Sequence, residues 1–378
     1  MTSGVVQDTT TPRFEIVRDL TRLEAIGPAW QMLWHASGAP IFRNHAWVTG
    51  WWRTIADRDR RRLLIVLAWR GESLEAVLPF ATRKRRGMRM LEWAAKDCSD
   101  YCDALIAPGT DVAILSRLWA FLSEAGGFDV AHINRLLPGA AAWVLKTSTG
   151  GVSLRDNHRV EHSLRVVGPF ANGEAWFDSH SKKVRQNYKR GVKFLSEDAD
   201  FAFRLLPKDT PIGPVLERLG ELKRLWLARN GIDAPLFDQG SETLPALVKT
   251  LADAGQLRVF VLERDDVIVA ISVNFVQDGT MMAFLTSYDP AVERGSPGMV
   301  LMVDYIKWAF DAGLMAVDFL CGAEDFKSRF ATETVTLKSI AGARSLIGHA
   351  AMLADALAQA IRSRRARAAA PEPVVDAA

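Results

Sequence analysis

Long apolar runs are missing from this 378-residue chain. No stretch approaches the roughly 18 uninterrupted apolar residues of a membrane-spanning helix. Residues 1–12 are polar and lack the charged-then-apolar order of a secretory leader, so the expected location is the cytoplasm, with peripheral attachment at the inner membrane left open. Cysteine is scarce: Cys98, Cys102 and Cys321 cannot all pair, which fits free thiols in a reducing compartment. No His or Cys pair follows Cys98 and Cys102 at zinc spacing, so no metal is expected. Neither sign of charge dominates. A formal net charge of +3 is too small for bulk electrostatics to be the function, and nucleic acid is not an expected partner. The absence of a Gly-x-Ser-x-Gly elbow removes the serine hydrolases that carry one.

What is present is an ordinary soluble composition, 49% apolar and 24% charged, on a length suited to two domains. An order of elements occurs twice. Leu63–Trp69 turns at Arg70-Gly71-Glu72 into Leu74–Phe80, and Leu257–Glu263 turns at Arg264-Asp265-Asp266 into Val267–Val276. Each is a predicted β-hairpin. A helix over Asp111–Ala125 then precedes a strand at Phe128–Ile133, and a helix over Gly298–Ala312 precedes Leu314–Leu320. The expectation is an α/β (α+β) protein of two similar domains, 13–170 and 171–345, each a mixed twisted sheet flanked by helices. Residues 1–12 read as a disordered start, and 346–378 as a C-terminal helix and disordered tail. Trp47, Trp51 and Trp52 at helical spacing read as core.

Two features favour an anion. Ser296 is a candidate N-cap, Pro297 fits the first helical position, and Gly298 lets a ligand approach the backbone. The first-turn N–H groups through Met299 and Val300 would attract a phosphate. The helix Ser181–Ser196 is amphipathic and basic: Lys182, Arg185, Lys189, Arg190 and Lys193 share one arc, and no acid interleaves until Glu197. A solvated face and a negatively charged substrate both explain that arc.

Leu78-Pro79-Phe80, Lys182 to Asn187, Trp226 to Gly231, Tyr288-Asp289-Pro290, Ser296-Pro297-Gly298, and Asp318 to Gly322 running into Phe326-Lys327 together resemble the GNAT superfamily of N-acetyltransferases, specifically its bacterial exopolysaccharide-associated branch. Within it the likeness is greatest to the acyltransferases of holdfast-type adhesive polysaccharides. More distantly the chain resembles the double-domain aminoacyltransferases that build peptidoglycan cross-bridges. The resemblance implies an acyl-CoA donor, acetyl-CoA or another, and an amino-sugar acceptor that is a nucleotide sugar, a lipid-linked sugar or a polymer. It also leaves open an association with polysaccharide machinery, and a non-catalytic scaffold with a degenerate transferase fold.

Once acyl transfer is assumed, Arg294 and Ser296 to Val300 would hold the donor, and a splayed strand Met281–Tyr288 would offer a backbone N–H to the oxyanion. Asp318 is the first-choice base, beside Asp289 and Glu324, with a turn-capping carboxylate as its equal alternative. Tyr305, Tyr288 or no residue would serve as acid for the thiolate. Lys327, by resemblance to the cross-bridge enzymes, would contact the acceptor, with Arg185, Lys189, Asp100 and Tyr101 as further contacts. Two departures from the family pattern stand out: Pro297 occupies the place of the loop's first glycine, and Phe326 that of a tyrosine. The run Arg362, Arg364, Arg365 and Arg367 suggests regulation by cyclic di-GMP.

Overall fold

The computed structural model describes residues 11–322 and 325–369, apart from the side chains of 325 and 365–369. The first lobe runs β1 (Arg13–Val17), α1 (Leu20–Ala25), α2 (Gly27–Ser37), α3 (His45–Thr54), β2 (Arg61–Arg70), β3 (Ser73–Arg85), β4 (Met88–Trp93), β5 (Leu105–Ile106), α4 (Ala113–Ala125), β6 (Val130–Leu136) and β7 (Arg155–Val167). The second runs α5 (Gly173–Asp178), α6 (Lys182–Leu195), β8 (Phe201–Leu205), α7 (Ile212–Asn230), α8 (Thr243–Asp253), β9 (Leu257–Arg264), β10 (Val267–Gln277), β11 (Thr280–Tyr288), α9 (Pro297–Asp311), β12 (Ala316–Cys321), α10 (Asp325–Ser328) and β13 (Glu333–Ala343), before the tail helix α11 (Leu346–Ala369).

The repeat is real in space. The hairpin β2–β3 leads to β4, α4 and β6, as the hairpin β9–β10 leads to β11, α9 and β12. In each lobe the helix makes a crossover between parallel neighbours, β4 with β6 and β11 with β12, because a parallel pair needs a long connection. The turns Arg86-Gly87, Asp265-Asp266 and Asp278-Gly279 place both central residues at positive φ, the geometry that matches the right-handed strand twist.

The two expected sheets are one. Among the described residues the strands form a single 13-stranded sheet in the order β1-β2-β3-β4-β6-β13-β7-β12-β11-β10-β9-β8, with β5 on β3. Each lobe gives the strand after its repeat to the other: β7 lies beside β12, and β13 beside β6. The exchange preserves a shared defect. Both β6 and β12 bulge, with Arg135 and Leu320 each at φ 58°. Before the bulge, β6 pairs Ile133 with Ile340, whereas β12 pairs Asp318 with Arg165. The same position is apolar in one lobe and charged in the other.

The lobes also share a core. Trp47 and Trp51 of α3 pack with Leu247 and Leu251 of α8, Phe275 of β10, Leu320 of β12 and Leu337 of β13. Gly50 of α3 packs beside Ala246 of α8, and Thr243 Oγ1 donates to the carbonyl of Thr54 at 3.1 Å. Burying so many large side chains between lobes is worth tens of kcal/mol before entropy, so the two lobes are held as one packed unit. No described helix is long and apolar enough to cross a membrane.

Candidate active site

The parallel register of β11 with β12 covers only Thr280–Met282 against Ala316–Asp318. Beyond it β12 enters its bulge while β11 continues paired to β10, so a gap opens between residues 283–288 and 319–322. A second irregularity lies on the other flank: Val273 faces Leu285 and Asn274 faces Ala283, leaving Phe284 without a partner. Such a bulge re-aims backbone groups. This is the splayed strand that the sequence reading called for.

The donor turn stands at the far end of β11. Asp289 Oδ1 accepts from the Ala291 N–H at 2.9 Å and caps a 3-10 turn over Pro290–Gly295, while its Oδ2 meets Arg218 at 3.1 Å. Those engagements make Asp289 a cap and ion-pair partner, not a free base. Ser296 holds the N-cap position of α9, as expected, but not with the geometry of a side-chain cap. Its φ of 48° puts it in the left-handed region, where its side chain caps nothing; strain of this kind in a non-glycine residue is characteristic of ligand-binding turns. The Ser296 carbonyl accepts from both Met299 and Val300 N–H, and Pro297 has no N–H. The Gly298 N–H is therefore the first-turn amide left without a protein acceptor among the described residues. The space beside Gly298 is narrower than expected, because a Cβ there would lie 3.1 Å from the Tyr288 ring.

Asp318 is fully occupied. Only 1% exposed, it accepts from Tyr101 OH at 2.6 and 2.8 Å, Ser163 Oγ at 2.8 Å, Arg165 Nε at 2.8 Å and the Leu320 N–H at 2.8 Å. A carboxylate so surrounded has no lone pair with which to take a proton from a substrate. Asp318 is a strut joining β12, β7 and the loop after β4. Tyr101 belongs to the same strut, buried, with Arg165 stacked over its ring, and it does not face an acceptor. Tyr305 is likewise removed from chemistry: it lies buried beside Phe260, and burial pushes its phenol up. Glu324 lies outside the described residues.

Asp100, by contrast, stands where the gap opens. Its backbone carbonyl accepts from Cys321 Sγ at 3.3 Å, and its carboxylate lies 3.8 Å from Arg135, beyond hydrogen-bond distance. Burial raises its pKa, opposed first by Arg135 and then by hydrogen bonds from Cys321. Arg135 in turn holds the loop, donating to the carbonyls of Lys96 and Ser99 and pairing with Glu161. Lys327 of α10 donates to the Phe319 carbonyl at 3.3 Å, which brings its amine to the same bulge. Burial pushes the Cys321 thiol up, so it stays protonated near neutral pH.

The remaining expectations separate by position. Arg185 is tied to Asp178 at 2.9 Å and Lys189 is exposed on α6. Arg362 and Arg364 lie on α11, exposed; the side chains of Arg365 and Arg367 lie outside the description. Sequence reading missed Arg135, Ser163 and Arg165, whose strands carry no motif, and it missed Asp304. Tyr188 OH donates to Asp304 at 2.5 Å, joining α6 to α9, and burial pushes the Asp304 carboxyl up to about 6. A raised carboxyl favours the protonated fold, so that contribution is complete below the ordinary 3.8 and lost as pH rises through about 6. Asp304→Asn should therefore match the wild type at pH 4 and exceed it at pH 8 by up to about 3 kcal/mol, read from denaturant midpoints at the two pH values. Equal midpoints at pH 8 would remove the argument.

Residues 182–328 match the family described as acetyltransferase (GNAT) domain, a span that holds α6, the donor turn and the gap. A search of curated proteins finds no match to the sequence. Among solved structures, the chain is similar to the C-terminal domain of a putative lysylphosphatidylglycerol synthetase from Agrobacterium fabrum, with 13% identity over 89% of this chain and 96% of that one and a TM-score of 0.55. It is similar to FemX, with 8% identity, 86% and 96% coverage and a TM-score of 0.54. A conserved protein of unknown function from Bacteroides thetaiotaomicron gives 10%, 88%, 100% and 0.50. At such identities these likenesses speak for the fold. With a GNAT acetyltransferase domain over residues 182–328 set in a two-lobed sheet, this chain is an acyltransferase.

Proposed function

We propose that the chain transfers an acyl group from acyl-CoA, acetyl-CoA in the first instance, to the amine of an amino sugar destined for an exopolysaccharide of the holdfast type. The observation that carries this reading is the gap between β11 and β12, which has an anion-suited turn at one end and the partly buried Asp100 carboxylate, beside Arg135 and Cys321, at the other. Gly298 N–H and the positive end of α9 suit the donor pyrophosphate, and Arg294 flanks them. The backbone of the Phe284 bulge is the candidate donor to polarise the thioester carbonyl. The acceptor amine enters from the inter-lobe side, where Lys327 holds its anionic neighbour and Asp100 takes the proton directly or through one water. No acid is assigned to the leaving thiolate, because a CoA thiolate departs tolerably near neutral pH.

The test is thiol release from acetyl-CoA in the presence of glucosamine-containing acceptors, beside calorimetric binding of acetyl-CoA. A chain that neither binds the thioester nor releases thiol would leave the scaffold reading in its place. For regulation, Arg362 and Arg364 stand on a helix segment with no acidic residue after Asp355, and we assign cyclic di-GMP to them. Calorimetry without a binding signal would sink that assignment, and equal binding by a chain ending at Gly348 would move the site.

A further inference from the structure

We propose that Arg190 and Lys193 of α6, with Arg294 of the donor turn, form the receptor for the ribose 3′-phosphate of CoA, so that the chain selects its donor by that phosphate. The inference rests on the reading of acyl-CoA as donor. Helix α6 is clamped to the donor turn: a Cβ at Gly191 would lie 2.6 Å from the Gly295 carbonyl oxygen and 2.8 Å from Val300 Cγ2. Only glycine permits that approach. On the flank of this contact Phe194 receives the Arg294 guanidinium over its ring at 5.7 Å, and Arg190 lies one turn before Phe194 on the same side of the helix. Arg190, Lys193 and Arg294 are all exposed.

These cations have no acid to answer them. The chain carries none from Ser179 to Ser196, and the one ion pair made by α6 among the described residues is Arg185 with Asp178. Glu293, next to Arg294, is taken by Arg229 at 2.6 Å. The cationic helix α7 is different: Glu217 and Glu221 interleave with its bases, and Arg218 pairs with Glu221 at 3.1 Å. A merely solvated face needs no unbroken run of like charge, which repels itself along a helix. A phosphate beside the donor turn would neutralise it through charge-assisted hydrogen bonds. The ribose 3′-phosphate hangs from the same nucleotide as the pyrophosphate, and so falls beside whatever holds that group.

The experiment is titration calorimetry of the full chain with acetyl-CoA and with 3′-dephospho-acetyl-CoA, at low and high salt. The wild type should bind acetyl-CoA at least about tenfold more tightly, with a preference that shrinks as salt rises. Arg190→Ala/Lys193→Ala, at exposed positions, should melt like the wild type, keep its affinity for the dephospho compound and lose the preference. Equal binding of both compounds by the wild type, or an unchanged preference in the double variant, overturns the inference and leaves the donor reading standing. Binding of neither compound, or of transfer RNA instead, overturns both.

Discussion

Asp318→Ala is expected to destabilise the protein by about 3–5 kcal/mol, a fall in Tm of about 4–6 °C for a chain of this size. The carboxylate gathers four donors from three segments, Tyr101 before β5, Ser163 and Arg165 on β7, and the Leu320 N–H on β12 itself. Alanine would leave the Arg165 guanidinium facing a buried void, the Leu320 amide without its acceptor, and Tyr101 and Ser163 with no acceptor but each other, and each orphaned donor carries a desolvation cost. Because β7 is the strand that the first lobe lends to the second, the loss falls on the seam of the sheet. Asp318→Asn should be milder but still destabilising, since its NH2 must confront at least one of the donors that the carboxylate accepted. A catalytic base would behave otherwise, losing turnover at constant Tm. Thermal melts followed by tryptophan fluorescence decide between the two, and a Tm unchanged in both variants would refute the strut.

The contrast with Asp318 shows what the sequence made legible. Hairpins, crossover helices and the repeat were readable because β-branched runs, turn residues and helical spacing are local signals. The strand exchange was not. β7 reads Arg-Asp-Asn-His-Arg-Val-Glu-His-Ser-Leu, a polar run that resembles a loop until β12 and β13 are found on either side of it. β13 is equally quiet in sequence: after Lys338 it runs Ser-Ile-Ala-Gly-Ala, without strand alternation, although the strand continues to Ala343. The splay of β11 was anticipated through family likeness, whereas the bulge at Phe284 depends on register and leaves no compositional mark. The role of Asp318 failed for a physical reason: a strand-end carboxylate between Val317 and Phe319 is desolvated whether it is a base or a strut. What separates the two is the identity of its donors, and the nearest in sequence apart from Leu320 lies 153 residues away.

Asp100→Asn should lower transfer by about 10²–10⁴-fold while leaving the calorimetric affinity for acetyl-CoA unchanged. The carboxylate lies on the first lobe's loop, yet it faces the gap of the second, so the proposed base is supplied across the lobes. That placement gives the fused sheet a chemical purpose, because the donor site and the proposed proton acceptor then come from different lobes. Burial raises the Asp100 carboxyl and Arg135 opposes the rise. Only the ionised form accepts a proton, so the wild-type rate with saturating acetyl-CoA should climb as pH rises through that elevated value and then level. The asparagine variant should show a low rate without this limb. Arg135→Lys supplies the complementary measurement: a cation that no longer holds the Lys96 and Ser99 carbonyls in the guanidinium's fixed fork should release the loop and shift the limb without abolishing it. If Asp100→Asn retains full rate, or loses rate while keeping the wild-type pH limb, the proton goes elsewhere and the inter-lobe base is wrong.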